Sequence, residues 1–151
     1  QEDEGHIVNT ASVAGLINPP GMGVYNATKH AVVSLSESLH HDLAEAGVRV
    51  RCSVVCPAFF PSGIADSEAS RPAALANDAP LTAHQQGLKR MLDRAVASGR
   101  LGAPEVAARI VAAIRDETFY VLTHPRIDGA VRARMEDVLG GTTPRNPLRL
   151  G

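Results

Sequence analysis

The sequence predicts an α/β fold, because short apolar runs that suit buried strands alternate with longer segments of helical periodicity. The first run, His6 to Ser12, leads into a loop rich in Pro and Gly, and a helix from about Val24 to Ala46 follows. A second run, Val48 to Pro57, comes directly after that helix. Strand, helix and strand in this order are typical of a parallel sheet, in which sites form where strand ends meet helix starts.

The predicted helix carries a long apolar stripe, and Gly47 ends it. Burial against the core is the ordinary use of such a stripe. The residues of the stripe are Ala27, Ala31, Val32, Leu35, Leu39 and Leu43.

After the second strand, residues 61–80 are rich in Ala, Ser, Asp and Pro, and an amphipathic segment runs from about Leu81 to Ser98. The apolar side chains of this region suit a pocket lining and a helix packed on the body equally well. They are Ile64, Leu75, Leu88, Met91 and Leu92. We then expect a helix that begins at Ala103-Pro104, a last strand at Phe119 to Thr123, a helix from Ile127 to Leu139, and a flexible tail over 140–151.

Composition excludes several classes of protein. With 15 basic and 16 acidic residues the net charge is −1, so no electrostatic footprint for nucleic acid or acidic membranes is present. Aromatic residues make up 3%, too few for base-stacking platforms. No apolar run approaches the roughly 20 residues that span a bilayer. We therefore expect a soluble cytoplasmic protein with no nucleic-acid or membrane partner.

Cysteine and histidine residues do not form a metal-site pattern. Cys52 and Cys56 stand four apart on the second predicted strand and should face the same side, where burial is favoured over contact with the substrate pocket. Adjacent His40 and His41 point about 100° apart on a helix, so a solvated surface role is favoured and no metal is expected. His124 follows the last strand and is predicted to be a loop residue.

Three residues form a candidate proton-transfer site: Ser12, Tyr25 and Lys29. Tyr25 and Lys29 stand four apart on the predicted helix, so they project from one face. A free phenol is a poor base near neutral pH, and a nearby cation stabilises its phenolate. Ser12 lies thirteen residues before Tyr25, at the end of the first strand. The set therefore indicates an oxidoreductase that moves a proton through Tyr25.

These residues resemble the short-chain dehydrogenase/reductase family, which places a Ser before Tyr-x-x-x-Lys on a Rossmann-like, doubly wound parallel sheet. The segment Gly5 to Gly15 looks like the family's fifth strand, and Val48 to Pro57 is similar to its sixth. The loop Pro57-Ala58-Phe59-Phe60-Pro61-Ser62 resembles the segment that contacts the nicotinamide ring. The resemblance covers roughly the C-terminal half of such an enzyme.

The resemblance implies NAD or NADP as cofactor and an alcohol or ketone as the small-molecule substrate. Ser12 and Tyr25 would bind the substrate, and Tyr25 would act as general acid and base. The implied cofactor contacts are Tyr25, Lys29, Pro57, Ala58, Phe60 and Ser62. Residues 61–98 would form a substrate-covering region, and the helix of Tyr25 would take part in a homo-oligomer.

Two features depart from the family pattern. The sequence has no Gly-rich dinucleotide fingerprint after a strand, and Ala58 stands where the family usually has Gly. Because the chain also begins with Gln1, we expect it to be part of a longer protein and inactive by itself.

Two alternatives stay open. One is a truncated or degenerate relative that keeps the fold for ligand binding or oligomerisation without catalysis. The other is an isomerase or epimerase that uses the same Tyr and Lys pair.

Overall fold

The fold is a three-stranded sheet with helices, seen in a computed structural model that describes residues 4–76, 79–124 and 127–150. The strands are β1 (Glu4–Thr10), β2 (Arg49–Cys56) and β3 (Tyr120–Leu122). The helices are α1 (Gly23–Glu45), α2 (Ala83–Ala97), α3 (Ala103–Arg115) and α4 (Asp128–Gly140). Short 3-10 helices cover Val13–Gly15, Gly63–Ser70, Ala73–Leu75 and Pro147–Arg149.

The sheet is parallel, with β2 between β1 and β3. Ile7 pairs with Cys52, and Val55 pairs with Val121. Every residue of β2 from Cys52 to Cys56 is buried, as expected for a central parallel strand covered on both faces. The predicted α/β class with a parallel sheet is confirmed.

Alternate residues of β2 support two separate clusters, one on each face of the sheet. Val54 and Cys56 pack with Val33 of α1, whereas Val55 packs with Val121 and with Ala113 of α3. Successive side chains of a strand point to opposite faces, so α1 and α3 cover opposite sides. This layering is that of a doubly wound sheet.

Helix α1 agrees with its predicted bounds, but its buried face differs from the predicted stripe. Leu35 is 68% exposed, whereas Ser36 is fully buried. The Ser36 hydroxyl donates to the Val32 carbonyl at 2.7 Å and accepts from Asn9 Nδ2 at 3.0 Å, so a polar residue fits the sheet-facing position. The apolar pattern therefore marked a face that the sheet covers only in part.

Contacts divide the chain into two compact units. The first comprises residues 1–58 and 106–151, and the second comprises residues 59–105. In the second unit, α2 matches the amphipathic segment predicted over residues 81–98, and Thr82 begins it with a capping box to Gln85. Among its apolar residues, Ile64 and Leu75 are exposed.

The C-terminal part of the first unit follows the predicted order of elements. Helix α4 ends at Gly140 and is capped by Gly141, whose φ of +62° is the left-handed conformation that favours glycine. The tail beyond it contacts α4, because Arg145 Nε donates to Asp137 Oδ1 at 2.8 Å and the Arg145 amide donates to Oδ2 at 2.9 Å. The flexibility of residues 140–151 stays a prediction, and these two hydrogen bonds argue against it.

Across the residues that the structure describes, no helix is long and apolar enough to span a membrane.

Candidate active site

Ser12 lies where the chain leaves β1 and turns into a short 3-10 helix. Its backbone is extended, and its Oγ accepts from the Ala14 amide at 3.2 Å, which caps that helix. The same hydroxyl donates to the Pro57 carbonyl at 3.3 Å. A bond of this length is weak, so the Ser12 hydroxyl can turn to another acceptor at little cost.

Tyr25 and Lys29 lie in the first two turns of α1, and both are half-buried. Lys29 Nζ lies 5.7 Å from the centroid of the Tyr25 ring. It also donates to the Thr10 carbonyl at 3.1 Å, which ties it to the end of β1. The structure thus brings Lys29 close both to Tyr25 and to the strand end that precedes Ser12.

A glycine allows the segment after Ser12 to approach α1. A Cβ atom on Gly15 would lie 2.6 Å from the Lys29 carbonyl oxygen and 2.9 Å from Val33 Cγ2. Any larger residue would therefore push the Ser12 turn and the Lys29 turn apart. This role of Gly15 could not be predicted from the sequence, because a close approach between distant segments leaves no local pattern.

The start of α1 is held by Asn26, a second residue whose role the sequence does not predict. Asn26 is buried, and its Nδ2 donates to the Pro19 carbonyl at 2.9 Å. This bond joins the helix to the Pro and Gly loop before it. A polar residue next to Tyr25 was the only sequence signal for this role.

The backbone after β2 is held on both sides at Pro57 and Ala58. The Pro57 carbonyl accepts from the Val13 amide at 3.0 Å and from the Ser12 hydroxyl, and the Ala58 amide donates to His124 Nδ1 at 3.3 Å. Pro57 has no amide proton, so the amide groups of these two residues have no free donor for a ligand. Their predicted cofactor contact would therefore use the Ala58 carbonyl or apolar surface.

Phe60 and Ser62 belong to the second unit, whereas the other predicted site residues belong to the first. Their contact with the cofactor stays a prediction.

Cys56 is the last residue of β2, near this site, and is fully buried. Cys52 is also buried, with 3% of its surface exposed. Burial raises the pKa of the Cys56 thiol to about 11, although the Ser12 backbone and the Lys29 charge oppose that shift. Cys56 is therefore a neutral thiol at physiological pH and not a nucleophile. Cys52 donates to the Ser36 carbonyl of α1, and Cys56 packs with Val33 of the same helix. The two cysteines therefore face the same side of the sheet, as predicted, and that side is covered by α1.

His40 and His41 are exposed on α1, and the His40 ring lies 5.1 Å from the Phe119 ring. Within residues 4–76, 79–124 and 127–150, no group of three or more His, Cys, Asp or Glu side chains could hold a metal ion.

The other tyrosine of the chain, Tyr120, donates a hydrogen bond to the Glu37 carboxylate at 2.5 Å. Burial and the Glu37 carboxylate raise the pKa of Tyr120 to about 12, so this phenol is unsuited to proton transfer near neutral pH.

Curated proteins of one family resemble this chain in sequence. The sequence profile of the short chain dehydrogenase family matches residues 1–73. The chain is 30% identical to a CLA biosynthesis dehydrogenase/reductase of Lactiplantibacillus plantarum, over 95% of this chain and 51% of that protein. It is 35% identical to dehydrogenase/reductase SDR family member 6 of Rattus norvegicus, over 85% of this chain and 49% of that protein. The chain therefore spans about half the length of the curated relatives it matches.

Solved structures of the same family resemble the fold. A short chain dehydrogenase/reductase from Burkholderia phymatum in complex with NAD is 56% identical and superposes with a TM-score of 0.94, over 99% of this chain and 53% of that one. A short-chain dehydrogenase from Streptomyces avermitilis shares the fold with a TM-score of 0.63 at 19% identity, over 92% of this chain and 48% of that one. The sequence and the Rossmann-like fold of this chain, together with these relatives, show that the chain belongs to the short-chain dehydrogenase/reductase family of oxidoreductases.

Proposed function

We propose that the protein is an NAD(P)-dependent oxidoreductase that interconverts a secondary alcohol and a ketone by hydride transfer, and that Ser12, Tyr25 and Lys29 are its catalytic residues. The observation that carries the proposal is the position of Lys29, between the Tyr25 ring and the end of β1. The NAD bound to the Burkholderia phymatum relative supports a nicotinamide cofactor.

The residues present fit a nicotinamide cofactor. Lys29 Nζ has three N–H donors, and in the described part of the chain it uses one of them, toward Thr10. The remaining donors suit hydroxyl groups such as those of a ribose. When bound, the cofactor would supply or accept the hydride.

The chain's own residues would handle the proton and the substrate oxygen. During ketone reduction, the Ser12 hydroxyl would turn from Pro57 to the substrate oxygen and stabilise its developing negative charge. Tyr25 would then donate its phenolic proton to that oxygen, and the ammonium of Lys29 would stabilise the resulting phenolate. Alcohol oxidation would run through the same groups in reverse.

Three further expectations belong to this proposal. We propose that residues 61–98 cover the substrate, since the exposed Ile64, Leu75 and Met91 suit an apolar surface. We propose a homo-oligomer through α1, because Val24 and Leu35 are 83% and 68% exposed there. A cytoplasmic location, and the lack of nucleic-acid and membrane partners, rest on composition and stay predictions.

The test of the catalytic assignment compares the two tyrosines of the chain. In the full-length gene product, Tyr25→Phe should lower kcat by about 10²- to 10⁴-fold, because it removes the transferred proton without changing the ring. Tyr120→Phe is the matched control and should leave kcat within about twofold, since it removes only a surface hydrogen bond. Melting temperature would show that both variants fold.

An unchanged rate in Tyr25→Phe would remove the assignment. Full cofactor binding without any alcohol or ketone turnover in the unmodified protein would favour an isomerase, an epimerase or a protein that binds without catalysis.

A further inference from the structure

His124 contacts the segment that follows β2, although it lies 66 residues further along the chain. It comes directly after Thr123, just beyond the end of β3. Its Nδ1 lies 3.3 Å from the Ala58 amide nitrogen and 2.7 Å from Thr123 Oγ1. One ring nitrogen of His124 therefore joins the ends of two neighbouring parallel strands.

The chemistry of the Ala58 amide determines the protonation of the ring. A backbone N–H can only donate, so Nδ1 has to be the acceptor and the ring proton lies on Nε2. The Thr123 hydroxyl then also donates to Nδ1, and its own side chain is fully buried. Burial, and secondarily the Arg109 guanidinium, lower the pKa of His124, which favours the neutral ring that this arrangement needs.

The orientation of Thr123 is itself set by α3. Arg109 Nη1 donates to the Thr123 carbonyl at 2.6 Å, which holds the backbone just before His124. A charge-assisted bond of this kind is stronger than a neutral one. The acceptor for the Ala58 amide is therefore supported by a second layer of contacts.

We propose that His124 is a positioning residue, which holds the Ala58 amide and thereby fixes the Pro57–Ala58 segment for cofactor binding. The inference rests on the proposed function, since it assigns that segment to the nicotinamide site. Val13 and Ser12 hold the segment from the Pro57 carbonyl, and His124 holds it from the following amide. Of the hydrogen bonds that these described residues make to the segment, loss of His124 would leave those from Val13 and Ser12, on the side of β1.

The position of the acceptor atom supplies a sharp test. His124→Asn can place its Oδ1 near the site of Nδ1, whereas His124→Gln carries its polar group one bond further out and His124→Ala has none. His41→Asn, at an exposed position of α1, is the control for a histidine replacement as such. The variants are made in the full-length gene product, and hydrogen exchange of the Ala58 amide is measured by NMR without cofactor.

If the proposal is correct, Ala58 exchanges about three- to tenfold faster in His124→Ala and His124→Gln, and His124→Asn restores protection. The KM for the nicotinamide cofactor should rise by a similar factor in the first two variants, with a smaller change in kcat and with rescue by Asn. Unchanged Ala58 exchange in His124→Ala would overturn the contact itself. Faster exchange with an unchanged cofactor KM would overturn the positioning role and leave the proposed function intact, and loss of turnover in Tyr25→Phe would still test that function separately.

Discussion

The two units of the chain are stabilised in different ways. In the first unit, β2 has five consecutive buried residues. The Ser12 side chain donates a hydrogen bond to a backbone carbonyl 45 residues away, and the Lys29 side chain donates one to a carbonyl 19 residues away. In the second unit, Val96 is the one buried hydrophobic residue among 59–76 and 79–105, and side chains pair within a turn, as in Lys89 with Asp93. The proposed catalytic residues therefore lie where contacts join distant segments of the chain, whereas the region proposed to cover the substrate is held by local contacts.

The largest difference between the two units is expected when one lysine of each unit is replaced. Lys29→Met should lower kcat by roughly ten- to a hundredfold, because the phenolate loses its nearby cation. It should also weaken cofactor binding, because the N–H donors proposed to bind the ribose are lost. Lys89→Met, on α2 of the second unit, removes an exposed pair with Asp93 and should leave both quantities nearly unchanged. Steady-state kinetics with cofactor titration would measure both. Equal losses in the two variants would mean that charge near Tyr25 has no special role.

Glycine substitutions should change stability in opposite directions in the two units. Gly15→Ala should lower the free energy of unfolding by about 1–3 kcal/mol, because its Cβ would press on Lys29 backbone and Val33. Gly87→Ala, inside α2, meets nothing within 4 Å and should raise it by about 0.5–1 kcal/mol through helix propensity. Urea denaturation would measure both changes. Stabilisation by Gly15→Ala would show that the turn after Ser12 is looser than the structure places it.

The smallest expected effect concerns acid stability. The Arg145 backbone amide, together with its guanidinium, holds the pKa of Asp137 below its ordinary value. This stabilisation is complete above the ordinary carboxyl pKa of about 3.9 and is lost as pH falls through the lower, folded value. Asp137→Asn should therefore flatten the fall in melting temperature below about pH 4. Glu68→Gln, whose pair with Arg71 is more exposed, should flatten it less, and the reverse order would contradict the contrast between the units.

The strands β1 and β2 and the helix α1 could be predicted from sequence because their signals are local. Apolar runs marked β1 and β2, and the spacing of Tyr25 and Lys29 placed both on one helical face, as the structure shows. The buried face of α1 was predicted less well, since Ser36 is buried through hydrogen bonds that no hydropathy pattern contains.

Contacts between distant segments were beyond a sequence reading. His124 was predicted to be a loop residue, and its bond to Ala58 depends on β3 lying beside β2. The close approach at Gly15 depends in the same way on how α1 packs. Neither the hydrogen bond of His124 nor the close approach at Gly15 produces a recognisable pattern in the neighbouring sequence.

Hydride transfer by the full-length gene product would test the proposed oxidoreductase activity directly. NAD and NADP binding would be measured first, followed by nicotinamide absorbance with a panel of secondary alcohols and ketones. We expect binding of one of the two cofactors and a substrate-dependent change in absorbance. Failure to bind either cofactor would contradict it and would favour a member of the family that does not catalyse this reaction.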